Sequence, residues 1–133
     1  MKFHTPLVAL TIVATAIFAA GAHQEGEDVE VTSTPVRGAV HVLVGRGGNI
    51  GVSAGPDGLL IVDDQFDYLA EKIQAAIDAM DKGKLKFVLN THWHGDHTGG
   101  NEIFGRRATI VAHDNVRKRL SEGDEPAPRK RCP

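Results

Sequence analysis

The chain has 133 residues, 41% of them hydrophobic and 24% charged, with a formal net charge of −2 at pH 7. That length holds one compact domain at most, and the composition is that of a soluble globular protein rather than a disordered, collagenous or multi-span membrane chain. The mild acidic balance excludes an electrostatic footprint for nucleic acid, and the one basic run, Arg129-Lys130-Arg131, reads as a solvated tail.

Lys2 is followed by an uncharged, mostly apolar run over residues 6–20 and then by Ala20-Gly21-Ala22, small residues suited to a leader peptidase. This is the pattern of a secretory signal peptide, expected over residues 1–22. The alternative, a membrane anchor or buried helix, suits it less well, because a span takes roughly 20 apolar residues. A secreted or periplasmic location is expected, with no stable membrane span after cleavage. Residues 23–35 are polar and acidic and are expected to be a flexible segment. Cys132 is the single cysteine, so no intramolecular disulfide can form.

The folded region is expected over residues 36–120. Val40, Val42 and Val44 alternate with Ala39, His41 and Leu43, residues 45–48 break the run, and Ile50 and Val52 resume it. Two strands joined by a glycine-rich turn follow from that pattern. Gly55-Pro56-Asp57-Gly58 is turn chemistry leading into Leu59-Leu60-Ile61-Val62, an apolar run expected to be a strand buried on both faces and ending at Asp63-Asp64. Leu69, Ile73, Ile77 and Met80 recur on one face of a helix. Leu85-Lys86-Phe87-Val88-Leu89 returns to strand character and runs straight into a histidine cluster. A short helix from Asn101 to Phe104, a strand at Thr109-Ile110-Val111-Ala112, and a helix capped by Asp114 and running through Leu120 complete the order. Residues 121–133 lack apolar periodicity and are expected to be a disordered tail.

The segment Thr91-His92-Trp93-His94-Gly95-Asp96-His97-Thr98-Gly99-Gly100 places three of the chain's seven histidines and one carboxylate within six consecutive positions. Building a core asks for nothing of the kind. Imidazole and carboxylate are the ligands zinc takes where thiolates are absent, and a turn at a strand end can aim alternate side chains into one cavity. In extended backbone His92 and His94 point the same way, while a turn at Gly95 redirects Asp96 and His97 toward a second position nearby. Two metal ions so placed can hold a water or hydroxide of near-neutral pKa, which is hydrolysis without a protein nucleophile. The alternative, histidines capping backbone groups on a polar loop, fits a lone histidine better than this set.

The pattern H-x-H-x-D-H after an apolar strand and before glycines resembles the signature of the metallo-β-lactamase superfamily. The glycine-rich region at residues 45–55, the strand ending in Asp63-Asp64 and the helix before the motif agree with it, so the resemblance covers residues 36–120. It implies an α/β fold, the N-terminal half of a four-layer αββα sandwich, and a zinc-dependent hydrolase using a metal-bound hydroxide on a lactam, ester or thioester. His92 and His94 would bind the first zinc, Asp96 and His97 the second. Asp96 would also be catalytic, orienting the attacking hydroxide, and Asp63 would support the metal loop from behind.

His rather than Arg at position 97 resembles the broader hydrolase branch and some lactamases. Later ligands of full family members have no visible counterpart. His113 is expected to be structural or near a substrate edge rather than a ligand, His23 and His41 structural or at the surface, and Trp93 packed beneath the loop. The sequence therefore reads as truncated, with one sheet face lacking its opposing layer, and a second chain is a candidate for completing it. Besides a small-molecule hydrolase, a catalytically inactive metal-binding fragment remains open.

Overall fold

A computed structural model describes residues 28–123. The leader expected over residues 1–22, His23, the basic run and Cys132 lie outside the described residues. Six strands form one sheet in the order of the chain: β1 (Thr32–Arg37), β2 (Val40–Val44), β3 (Asn49–Gly55), β4 (Gly58–Val62), β5 (Leu85–Asn90) and β6 (Thr109–Ala112). The first four are joined by tight turns and pair antiparallel. The pairs β4–β5 and β5–β6 are parallel, and each therefore needs a crossover. The first crossover carries a 3-10 turn (Asp67–Leu69) and helix α1 (Ala70–Asp78), and the second carries α2 (Gly95–Thr98) and α3 (Asn101–Phe104). Helix α4 (Asp114–Glu122) follows β6.

The alternation read from the sequence sets the core. Leu43, Ile50, Val52, Ala54, Leu59, Ile61 and Val88 face one side of the sheet and pack against Leu69, Ile73 and Ile77 of the first crossover and Phe104 of α3. Each such aliphatic side chain contributes about 1.5–3 kcal/mol on burial, which outweighs the weak intrinsic stability of helices this short.

The opposite face is open. Partners in register point to the same side, so Val42, Gly51, Val62, Leu89 and Val111 make one row across five strands, and Val40, Ser53, Leu60, Phe87 and Thr109 make the next. Val40, Val44, Phe87 and Val111 are exposed. This corrects the expectation for β4: Leu59 and Ile61 are buried, but Leu60 and Val62 only partly so. An apolar run shows that both faces suit a core, and among the described residues only one is covered.

Three boundaries also differ from expectation. Residues 32–35, expected to be flexible, belong to β1, whose six residues are all exposed. This strand is held by its ladder with β2 rather than by burial, and Pro35 is tolerated there because an edge strand has a free side. At the other end α4 runs to Glu122, past the expected start of the tail, and Gly123 closes it in the left-handed region (φ 70°), its N–H donating to Arg119 O. The cap at the start of α4 is His113, whose ring Nδ1 accepts from Asn115 N at 3.1 Å, and not Asp114.

Candidate functional site

Because β4 and β5 pair in parallel, their carboxyl ends lie side by side, and both chains turn off the sheet there. Asp63 N donates to Leu89 O at 2.8 Å, which brings the residues after β4 against those after β5. Asp63 and Gln65 take the left-handed backbone region (φ 64° and 56°) that non-glycine residues seldom adopt. Their side-chain bonds, together with that of Asp64 between them, hold this turn in place.

Each of the three side chains secures a different segment. Asp63 Oδ1 accepts from Thr91 N at 2.8 Å, and Oδ2 accepts from Thr91 Oγ1 at 2.8 Å and from His97 Nδ1 at 2.8 Å. Asp64 Oδ1 accepts from Gly100 N at 3.0 Å, fixing the start of α3. Gln65 Nε2 donates to Gly48 O and so pins the glycine-rich turn between β2 and β3. Asn90, the last residue of β5, donates to His97 O at 3.2 Å and accepts from Asn101 Nδ2 at 2.9 Å.

Two glycines are required by close approach. A Cβ on Gly99 would lie 2.7 Å from Gln65 O and 2.8 Å from Gly95 O, so only glycine lets α2 press against the turn after β4. Gly47 adopts φ +90°, and a Cβ there would sit 2.8 Å from Phe66 Cε2 and 3.2 Å from Asp96 Cβ. The glycine-rich turn therefore lies directly against the motif.

The four motif side chains come together at this edge. His92 Nε2 is 3.0 Å from His94 Nδ1, the rings of His92 and His97 are 4.0 Å apart by centroid, and His97 Nε2 is 3.5 Å from Asp96 Oδ2. The bonds behind them decide the tautomers. A carboxylate only accepts, so Asp63 requires N–H on His97 Nδ1, and in the neutral ring the lone pair then lies on Nε2. Thr91 has one hydroxyl proton and gives it to Asp63, so its 3.0 Å contact with His92 Nδ1 requires N–H there and leaves His92 Nε2 with a lone pair as well. Burial first, then the neighbouring His97 and His94, hold the His92 imidazole below the usual histidine range, favouring the neutral form that ligates.

In the neutral ring His97 Nε2 and Asp96 Oδ2 are two acceptors facing each other. Donors at zinc distances of 2.0–2.2 Å stand about 3.3–3.5 Å apart around a tetrahedral ion, and 3.5 Å is observed. The donor chemistry of each pair fits zinc. Among the described residues no three His, Cys, Asp or Glu side chains surround one point, and the motif side chains stand as two close pairs, His92 with His94 and Asp96 with His97.

The sequence placed Asp63, His92, His94, Asp96 and His97 at one location, and the structure brings them together. Trp93 is half-buried beside the loop, its ring 4.8 Å from that of His94, and Arg119 Cζ stands 4.1 Å from its centroid. His41 is half-buried in β2, and His113 caps α4. The sequence reading missed Gln65, Asn90 and Asn101. Their one signal was position: polar residues at the ends of apolar strands, or just after the motif.

Residues 44–127 match the family described as the metallo-beta-lactamase superfamily. A metallo-beta-lactamase from Cronobacter sakazakii shares the fold at 20% identity, with a TM-score of 0.64 over 72% of this chain and 40% of that one. The metallo-beta-lactamase SMB-1 in a complex with mercaptoacetic acid is 30% identical, with a TM-score of 0.62 over 74% of this chain and 40% of that one. A subclass B3 metallo-beta-lactamase isolated from a soil metagenome library is 28% identical, with a TM-score of 0.61 over 68% of this chain and 36% of that one. The hydroxyacylglutathione hydrolase of Nitrosococcus oceani is 41% identical over 44 residues, 32% of this chain and 17% of the relative. The chain spans 36–40% of the length of these solved structures.

Proposed function

This chain belongs to the metallo-beta-lactamase superfamily, and from that premise we propose that it carries the metal-ligating edge of a zinc-dependent hydrolase whose substrates are lactams, esters or thioesters. The observation that carries the reading is the pair of facing acceptors, His97 Nε2 and Asp96 Oδ2, 3.5 Å apart with their partners fixed from behind. With the His97 ring neutral, no donor stands between these two acceptors, and a metal cation suits that place.

In this reading His92 and His94 hold one zinc, and Asp96 and His97 hold the other. Zinc, when bound, supplies a Lewis acid that activates water and polarises the bond to be cleaved. The chain's own residues do the positioning. Asp63 keeps His97 in the Nδ1–H form and, through Thr91 Oγ1, does the same for His92. Asp96 presents a carboxylate oxygen that accepts from the attacking water and orients it. The turn pinned by Gln65 lies against Asp96 at its Cβ. The lactamase names among the structural relatives and the thioesterase-type name of the curated relative support a carbonyl substrate without choosing between them. Export of the chain is proposed on the leader pattern of residues 1–22.

A second reading, a catalytically inactive metal-binding fragment, is favoured by one specific observation: among the described residues no three ligand side chains share a point. Zinc titration of the purified chain, with hydrolysis of a chromogenic lactam and of a thioester followed in parallel, separates the two. Two bound zinc ions with turnover support the hydrolase. Weak uptake of one ion without turnover leaves the inactive fragment, and no uptake in wild type overturns both.

A further inference from the structure

Trp93 is the single tryptophan of the chain, and it stands between the two histidines of the first pair. Its ring contacts that of His94 at 4.8 Å and meets that of His92 edge-on at 6.3 Å. On the indole rests the guanidinium of Arg119, 4.1 Å from the ring centroid, projected from the last turn of α4. The loop it reaches has no ladder or helix of its own at residues 91–94. From the other side Thr98 Oγ1 of α2 contacts His94 O at 3.1 Å and Trp93 O at 3.4 Å. The loop is therefore gripped between α2, through its backbone, and α4, through one aromatic face.

We propose that Arg119 is a positioning residue for the proposed metal site, acting on His92 and His94 through Trp93. Indole is the strongest of the aromatic faces for a cation, and a planar guanidinium stacks on it where an ammonium cannot. Held there, the indole is confined to one rotamer, and the Cα of Trp93 joins the two peptides from which His92 and His94 project. The two imidazoles then stay within contact of each other, at 3.0 Å between Nε2 and Nδ1, before any ligand arrives. A helix that buries a single side chain, Val116, thus exerts its effect at the site through its exposed last turn. Loss of the stack frees the indole, and ordering the loop is then added to the cost of binding.

The inference rests on zinc ligation by His92 and His94, so the experiment separates the two. Zinc affinity is measured by calorimetry for the full chain and for Arg119→Met, Arg119→Lys, Trp93→Leu and the Arg119→Met/Trp93→Leu double variant. The emission of Trp93 is recorded in chelator for the chains that retain it. Arg119→Met is expected to weaken zinc binding about two- to five-fold and to shift the emission to the red, with Arg119→Lys recovering part of both. The double variant is expected to bind no more weakly than Trp93→Leu alone, because the two side chains act as one unit. Trp93→Phe, which keeps a ring face, supplies the affinity comparison should Trp93→Leu not fold. Equal zinc affinity in wild type and Arg119→Met, or additive losses in the double variant, overturn the role of Arg119 while leaving zinc ligation standing. Failure of the wild-type chain to take up zinc overturns both together.

Discussion

Asp63 Oδ2 accepts a 2.8 Å hydrogen bond from His97 Nδ1 across 34 positions of sequence, so the end of β4 dictates which nitrogen of a motif histidine is free. An amide at position 63 would reverse that. Asp63→Asn keeps the size and tolerates the left-handed φ of 64°. Its Nδ2 would donate to His97 Nδ1, leaving the proton on Nε2 where the lone pair is needed. Zinc affinity is expected to fall about 10- to 100-fold, with the far-UV spectrum unchanged. Calorimetric titration checks it, and an unaltered affinity would show that the tautomer is set elsewhere.

Thr91 carries the same influence to His92. Thr91→Val is nearly isosteric but removes the hydroxyl that donates to Asp63 and contacts His92 Nδ1 at 3.0 Å. The expected result is a smaller loss of zinc affinity than for Asp63→Asn, because His97 keeps its own bond to Asp63. Thr91→Ser should restore wild-type affinity. A loss as large in Thr91→Ser as in Thr91→Val would point to packing rather than the hydroxyl.

Much of this architecture was legible in the sequence where burial imposes a period. The Val40-Val42-Val44 alternation and the Leu69-Ile73-Ile77 face mark elements whose one side is sequestered, and those elements form as read. Strand β1 left no such mark, because all six residues are exposed and pairing with β2 alone holds them. The motif announced itself because ligand residues repeat at short spacing. Gln65, Asn90 and Asn101 did not, since they act through contacts to residues 7 to 17 positions away that only the fold brings near. The cap of α4 misled for a local reason. His113 and Asp114 can both accept a backbone N–H, and the choice is one of dihedral angles: His113 is extended (ψ 146°) where a cap must be.

Asp64 gives the metal-free protein a pH dependence of defined sign. Burial pushes its carboxyl up from 3.8 to about 7, against the lowering effect of the Gly100 N–H, while Oδ2 has no hydrogen-bond partner. Between those two values the folded state retains a proton that the unfolded chain has released. Stability is therefore greatest below about pH 4 as far as this group is concerned, and declines as pH rises toward 7. Urea midpoints measured in chelator from pH 4.5 to 7.5 should fall with rising pH in wild type. They should fall less in Asp64→Asn, which has no proton to lose; parallel curves for the two proteins would show that Asp64 does not titrate in this range.

Gly99 sets how closely α2 can approach the turn after β4. The Cβ of Gly99→Ala would meet backbone atoms at 2.7, 2.8 and 2.9 Å, none of which can swing aside as a side-chain end would. The two segments must separate, at a cost of about 1–3 kcal/mol for overpacking, and Asp64 N to His97 O at 3.1 Å lies in the path of that separation. Gly55→Ala is the matched control, since nothing lies within 4 Å of its Cβ and its φ is not positive. Denaturant melts should show a clear loss for Gly99→Ala and little change for Gly55→Ala, and zinc affinity should fall only in the former. Retention of full stability by Gly99→Ala would mean that α2 has room to retreat.

The open sheet face makes a prediction independent of metal. Val40, Val44, Phe87 and Val111 are each more than 40% exposed on strands whose other side carries Leu43 and Val88 into the core. A contiguous apolar face of this kind binds hydrophobic dye and drives self-association. Phe87 is central, lying between Leu60 and Thr109 in register on the open face. Phe87→Lys should therefore lower dye binding and concentration-dependent light scattering while leaving the urea midpoint within about 0.5 kcal/mol of wild type, as for other surface positions. A large loss of stability would instead mean that Phe87 is covered in solution, and sedimentation of the wild-type chain would then show whether a second copy covers it.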